Sequence, residues 1–244
     1  MALLEVKGLT KHFGGLRAVH DLSFQVNAGE ILGLIGPNGA GKTTAFNLIA
    51  GFIRPTAGQI LLEGEDLVGM KPYAVTRRGI ARTFQIVKPF KKLPVLENVA
   101  LAAFLRFRSR SEAESEARNV LERMGLGSKL SAAASDLTLS EQKRLEMARA
   151  LATRPKLLLL DEPMSGLNAT EIEQATRLVT DICQEGVTVI WVEHVLKAIM
   201  IASHRVVVIS QGQKIADSSP HQVVNNPAVI SAYLGKRPAT HAIH

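Results

Sequence analysis

The sequence predicts an α/β fold: a mainly parallel sheet, an N-terminal β part and an inserted helical subdomain. Three observations predict it. A glycine-rich loop, Gly36-Pro37-Asn38-Gly39-Ala40-Gly41-Lys42-Thr43, separates a short apolar run, Glu30 to Ile35, from an apolar helix-forming stretch, Ala45 to Ala50. Further apolar runs, Leu157 to Leu160, Val187 to Val192 and Arg205 to Ile209, alternate with helical patterns, as strands buried on both faces of a parallel sheet do. Between the two groups, from about 88 to 154, the pattern is helical.

Taken in order, Leu3 to Val6 and Ala18 to Val26 read as strands ahead of the loop. Arg54-Pro55-Thr56-Ala57-Gly58 is a turn and Gln59 to Leu62 another strand. Helices are expected over Val95 to Phe107, over Ser111 to Met124 and over about Glu141 to Thr153. In the second, Ala113, Ala117, Val120, Leu121 and Met124 recur at helical spacing on one face. Gly125 and Gly127 end it, and Pro155 stops the third. The expected organisation is one domain over 1–237 with a tail at 238–244.

Composition narrows the class. Aromatic residues make up 5% of the 244 residues, so the core must be mostly aliphatic. No stretch approaches the roughly 18 to 20 apolar residues needed to cross a bilayer, and the start, Met1 to Lys7, lacks a signal-peptide pattern. A cytoplasmic location is expected. The single cysteine, Cys183, excludes an internal disulfide and reads as a buried thiol. Ten Lys or Arg and one acid, Glu97, fall between 71 and 110, against a net charge of +7 for the whole chain. Such a block suggests a surface facing lipid headgroups or an acidic partner. The aromatic interleaving of single-strand nucleic acid binders is missing, and no nucleic acid partner is expected.

The glycine loop carries the chemistry. Its glycines let successive N–H groups face phosphate oxygens, and the following helix aims its positive end at the anion. Lys42 reaches the β- and γ-phosphates and Thr43 offers a hydroxyl to Mg²⁺; Thr44 continues the cradle. A nucleotide, ATP or GTP, is the ligand this predicts. Leu157-Leu158-Leu159-Leu160-Asp161-Glu162 places two acids at the carboxyl end of a buried strand, where ligands sit in such sheets. Asp161 is the candidate Mg²⁺ residue, and Glu162 the candidate base that orients and deprotonates the attacking water.

With these motifs the chain resembles, over nearly its full length, the nucleotide-binding subunit of an ATP-binding cassette (ABC) transporter. The resemblance implies that Phe13, in Lys11-His12-Phe13-Gly14-Gly15, stacks on adenine. It implies that Gln85, in Arg82-Thr83-Phe84-Gln85, lies near Mg²⁺ and a membrane subunit, and that His194 contacts the γ-phosphate. ATP and Mg²⁺ are then the cofactors. The implied partners are a second cassette subunit, transmembrane permease subunits and, indirectly, a solute-binding protein, at the cytoplasmic face of the plasma membrane. Arg144 to Leu151, Gly166-Leu167-Asn168 with Glu171, Val192-Glu193-His194 and Asn226 to Gly235 resemble importers of branched-chain amino acids and related amides. The lipopolysaccharide-export ATPase is the runner-up. A ribosome- or DNA-acting cassette ATPase fits less well, since the chain has a single phosphate loop and no sustained heptads. A subunit that binds ATP without hydrolysing it is a third alternative.

One segment departs from the family. Its Leu-Ser-Gly-Gly-Gln, which clasps the γ-phosphate bound by the opposite subunit, falls on Leu137-Thr138-Leu139-Ser140-Glu141. Thr138 keeps the hydroxyl, and Leu139 and Ser140 keep N–H groups, so Thr138 and Ser140 remain candidate nucleotide contacts. Leu139 adds bulk and Glu141 adds a negative charge near an anion. This implies either a tolerant variant or a clasp weaker than the partner's. The second favours a heterodimer, with a homodimer as the alternative. Asn168 stands where Asp is usual, keeping the hydrogen-bonding shape without the charge, and Val195 follows His194 where Asp is frequent.

Overall fold

The computed structural model describes residues 2–234; the expected domain end at 237 and the tail at 238–244 lie outside them. The chain begins with two long antiparallel strands, β1 (Ala2–Phe13) and β2 (Leu16–Asn27), joined at Gly14-Gly15. Next, β3 (Ile31–Ile35) feeds the glycine loop and α1 (Lys42–Ile49). The antiparallel sheet is completed by β4 (Ala57–Leu62) and β5 (Glu65–Asp66), in the order β2-β1-β4-β5. A short α2 (Pro72–Arg78) precedes β6 (Ile80–Arg82). Three helices follow: α3 (Val95–Ala103), α4 (Arg110–Arg123) and α5 (Leu139–Leu151). The chain then alternates through β7 (Leu157–Asp161), α6 (Ala169–Gln184), β8 (Thr188–Val192), α7 (Leu196–Ala202) and β9 (Arg205–Ser210). It closes with β10 (Gln213–Ser218), α8 (Pro220–Val224) and α9 (Pro227–Leu234). The second sheet runs β10-β9-β3-β8-β7-β6, parallel throughout except for β10 on β9.

Period-two alternation divides the parallel strands between two cores. Leu32, Leu34, Leu157, Leu159, Ile190, Val192, Val207 and Ile209 pack with α1 and the antiparallel sheet. Their neighbours Ile31, Ile35, Leu158, Leu160, Val189, Trp191, Val206 and Val208 pack with α3, α4, α5 and α6. The central strands β3, β7 and β8 are therefore buried at every position, and the aliphatic core expected from the low aromatic content is present.

Helix starts are set by local chemistry. Ser109 with Glu112, Thr138 with Glu141 and Asn168 with Glu171 each form a reciprocal capping box, at α4, α5 and α6. Only α3 is shorter than expected: beyond Ala103 the N–H groups of Leu105 and Arg106 bond three residues back. That tighter turn carries the Arg106 guanidinium to the carbonyl of Thr153, at 2.7 Å. Cys183 is buried as expected, and its thiol reaches the Gly29 carbonyl at 3.3 Å.

The basic stretch is not one free surface. The Arg82 side chain is buried on Asp161, Arg78 is paired with Glu65, Arg110 with Glu114, and Arg106 is spent on main-chain carbonyls. Counting charge along the chain missed these partners because they are supplied by the fold.

Leu158 is fully buried in β7, three residues before the acidic pair. Leu158→Ala is expected to lower stability by about 2–5 kcal/mol, read as a lower midpoint in urea unfolding.

Candidate active site

The phosphate loop is held by contacts that only glycine permits. At Gly36 (φ +156°) a Cβ would fall 2.0 Å from the Ile209 carbonyl oxygen, and at Gly41 (φ +105°) 2.4 Å from that of Ala18. The loop thus threads between the end of β9 and β2, with the Ala40 carbonyl accepting a hydrogen bond from the Gly212 N–H. No side chain caps α1 and its first turn holds no acid. Its leading N–H groups are available to an anion, on the positive end of the helix dipole. Lys42 is buried, and its Nζ donates to the carbonyls of Gly36 (2.7 Å) and Pro37 (3.0 Å). Burial pulls its ammonium below the usual lysine range, opposed by the Glu162 and Asp161 carboxylates. Thr43 is exposed at the mouth of the loop, Thr44 half-buried beside it.

Asp161 ends β7 with its side chain 3% exposed. Its Oδ2 accepts from Arg82 Nη2 at 2.7 Å, while Oδ1 is buried without a hydrogen-bond partner. Glu162 follows in the left-handed backbone region, φ +49°. Its carboxylate is held from both sides: Gln85 Nε2 donates to Oε2 at 2.7 Å, and His194 Nε2 lies 2.7 Å from Oε1. Its N–H bonds the Val192 carbonyl, and its own carbonyl accepts from the buried Lys143 Nζ at 3.3 Å. The structure therefore brings Gln85, Asp161, Glu162 and His194 to the same sheet edge as Lys42. These groups come from the ends of β3, β6, β7 and β8, as the carboxyl-edge rule requires.

Sequence reading assigned no role to Glu193 or Lys143 and counted Arg82 only within the basic block. Glu193 is buried, and its carboxylate accepts from the N–H groups of Met164 (2.7 Å), His194 (2.9 Å) and Val195 (3.3 Å). It stitches the loop after β7 to the loop after β8. It also accounts for Val195: the start of α7 takes its acceptor from Glu193, so no acid is needed at 195. The available signal was an acid directly after a fully apolar strand. Lys143 had none, since a lysine within a helix looks solvated until the fold buries it.

Phe13 sits at the end of β1, 48% exposed, with Lys11 Nζ 5.1 Å above its ring. Among the described residues it makes no hydrogen bond or aromatic contact with the carboxylate cluster. Thr138 and Ser140 begin α5 in the helical layer. Glu141 does not project its charge forward: its carboxylate accepts from the Thr138 N–H at 2.9 Å and faces Lys129 at 3.6 Å. Leu139 is 47% exposed, and its side chain lies so close over Gly166 that a Cβ there would sit 2.9 Å from Leu139 Cδ2. Asn168 caps α6 through Oδ1, accepting from the Glu171 N–H at 3.0 Å.

The residues fit a hydrated divalent cation. A buried carboxylate oxygen without a partner is unusual in a folded protein, and Asp161 Oδ1 is one, on the edge that Thr43 shares. No group of three or more His, Cys, Asp or Glu able to hold a metal exists among the described residues. One carboxylate with a nearby hydroxyl is a donor set compatible with a cation that is otherwise held by water and phosphate oxygens.

The ABC transporter family model matches residues 19–165, and a branched-chain amino acid ATP-binding cassette transporter model matches 213–239. The chain is 41% identical to the high-affinity branched-chain amino acid transport ATP-binding protein BraF of Pseudomonas aeruginosa and 40% identical to LivG of Escherichia coli K12. Each comparison covers 96% of this chain and 98% of the relative. The lipopolysaccharide export system ATP-binding protein LptB of E. coli K12 is 35% identical over 97% of this chain and 98% of its own. A solved ABC transporter cassette in its ADP conformation superposes with a TM-score of 0.88 at 29% identity, covering 97% of this chain and all of that one. A dimeric cassette bound to ADP and Pi gives 0.80 at 25% identity, covering 89% and 98%. Family match, full-length relatives and shared architecture agree: the chain belongs to the ATP-binding cassette (ABC) transporter family.

Proposed function

We propose that this chain is the ATP-hydrolysing subunit of an importer for branched-chain amino acids or related amides, acting as one half of a cassette heterodimer beneath a membrane permease. The observation that carries the enzymatic reading is the Glu162 carboxylate, clamped between Gln85 and His194 beside Asp161 and Lys42. The glycine loop, Lys42 and the N-terminus of α1 bind the phosphates of ATP, with Phe13 against the adenine. Thr43, Asp161 and Gln85 would hold Mg²⁺, which when bound neutralises charge on the phosphates. Glu162 orients a water and takes its proton at one carboxylate oxygen. His194, within hydrogen-bond reach of Oε1, orients this carboxylate before ATP binds and turns its N–H to the terminal phosphate once ATP is bound. Lys143 and the Val192 carbonyl hold the backbone beneath it.

The substrate class is supported by the two LivG and BraF relatives and by the match at 213–239. Closer identity to these than to LptB favours the importer reading over lipid export. No helix among the described residues is long and apolar enough to cross a membrane, so peripheral attachment through a permease at the cytoplasmic face is part of the proposal. The heterodimer is supported by α5. Its Thr138 N–H is already engaged by Glu141, and Leu139 covers Gly166, so this chain offers a partner's ATP a poorer clasp than Leu-Ser-Gly-Gly-Gln would.

Glu162→Gln is expected to preserve ATP binding while cutting turnover by about 10²- to 10⁴-fold; near-normal turnover would remove Glu162 from the role of base. Purification from membranes is expected to recover this chain with a permease and a second, different cassette, and a complex holding only copies of this chain would overturn the heterodimer. With that partner present, a mutation disabling the partner's clasp should depress ATPase activity more than Thr138→Ala in this chain; equal losses would mean two equivalent sites.

A further inference from the structure

We propose that Arg82 is a positioning residue that sets the metal-facing oxygen of Asp161, and that an aromatic cage reaching the protein surface sets Arg82. The guanidinium sits at the end of β6 with its side chain 6% exposed. One arm of its fork donates to Asp161 Oδ2 at 2.7 Å, the other to Asn47 Oδ1 on α1 at 2.6 Å. Three rings surround it, with centroids 5.2 Å away for Phe84 and 5.7 Å for both Phe46 and Phe52. Its Nε is buried without a hydrogen-bond acceptor, so that side of the cation faces π-electrons.

This arrangement assigns each Asp161 oxygen a task. Oδ2 is spent on the fork, and the dry aromatic surroundings strengthen that charge-assisted bond. Oδ1, the buried oxygen without a partner, is the one left for a cation. The planar fork spans Asn47 and Asp161 together, so it fixes the carboxylate relative to the helix that follows the phosphate loop. A lysine could satisfy only one of them at a time.

The cage has an outer wall. Phe46 is buried, but Phe52 and Phe84 are 49% and 42% exposed and pack edge to face, with centroids 5.6 Å apart. Asn47 joins the two parts, because its main-chain carbonyl also accepts from the N–H groups of Phe52 (2.9 Å) and Ile53 (3.3 Å). The contacts are thus continuous from the exposed rings to the metal-facing carboxylate, and the positioning role does not rest on the permease reading.

The test uses the isolated full chain with a non-hydrolysable ATP analogue. Mn²⁺ binding is followed by electron paramagnetic resonance, and analogue binding in EDTA by calorimetry. Arg82→Met is expected to weaken Mn²⁺ binding about 10- to 100-fold, as loss of a carboxylate's outer partner does. Arg82→Lys and Phe84→Ala should weaken it less, and binding in EDTA should not change. Unaltered or tighter Mn²⁺ binding in Arg82→Met would overturn the proposal, as would an equal loss in EDTA, the sign of a purely structural role. Should Arg82→Met fail to fold, Arg82→Lys and Phe84→Ala support the same comparison. Because no permease is present, a failure here is distinguishable from a failure of the transporter reading.

Discussion

The left-handed turn at Glu162 is the constraint on which the site depends. A non-glycine residue at φ +49° costs on the order of 1–3 kcal/mol. It persists because the surrounding structure over-determines it: the Val192 carbonyl takes its N–H, Lys143 takes its carbonyl, and Gln85 and His194 hold its carboxylate. The turn swings the carboxylate off the line of β7, so that two consecutive acids diverge. Asp161 remains in the sheet edge against Arg82, and Glu162 stands over the loop from which Lys42 rises. Without the reversal the two would alternate across the sheet, as neighbours on a strand do.

Charge balance follows from this geometry. Three acids, Asp161, Glu162 and Glu193, are buried at the carboxyl ends of the paired strands β7 and β8. Isolated buried carboxylates would be prohibitive. Here each is met by hydrogen-bonding groups: the Arg82 guanidinium for Asp161, the Gln85 amide and the His194 imidazole for Glu162, and three main-chain N–H groups for Glu193. Lys143 contributes from a different layer, since it belongs to α5. The helix that opens with the altered Thr138 segment is thereby fastened to the backbone of the candidate base.

What was legible in the sequence was local. The strand, glycine loop and helix around Lys42 announce themselves because spacing and residue type suffice to make them. The same holds for β7, whose apolar run ends in its acids. Gln85 and His194 were legible only through resemblance, since nothing in their immediate sequence says that both converge on Glu162. Arg82 was read as part of a basic surface because four of its five partners, Asp161, Asn47, Phe46 and Phe52, are distant in sequence, and burial of a cation is decided by such partners. For Glu141 the charge near an anion was legible, but the capping box that engages the Thr138 N–H with it was not.

That capping box has a consequence for how the helical layer meets anything negative. The Thr138 N–H is not waiting for a ligand; it already has one, tethered three residues along the chain. An incoming anion must compete with a carboxylate whose effective local concentration is set by that short tether. Helix α5 is thus complete without a visitor, and engagement there becomes an exchange of acceptors, favoured only by a partner that brings enough contact elsewhere to release Glu141.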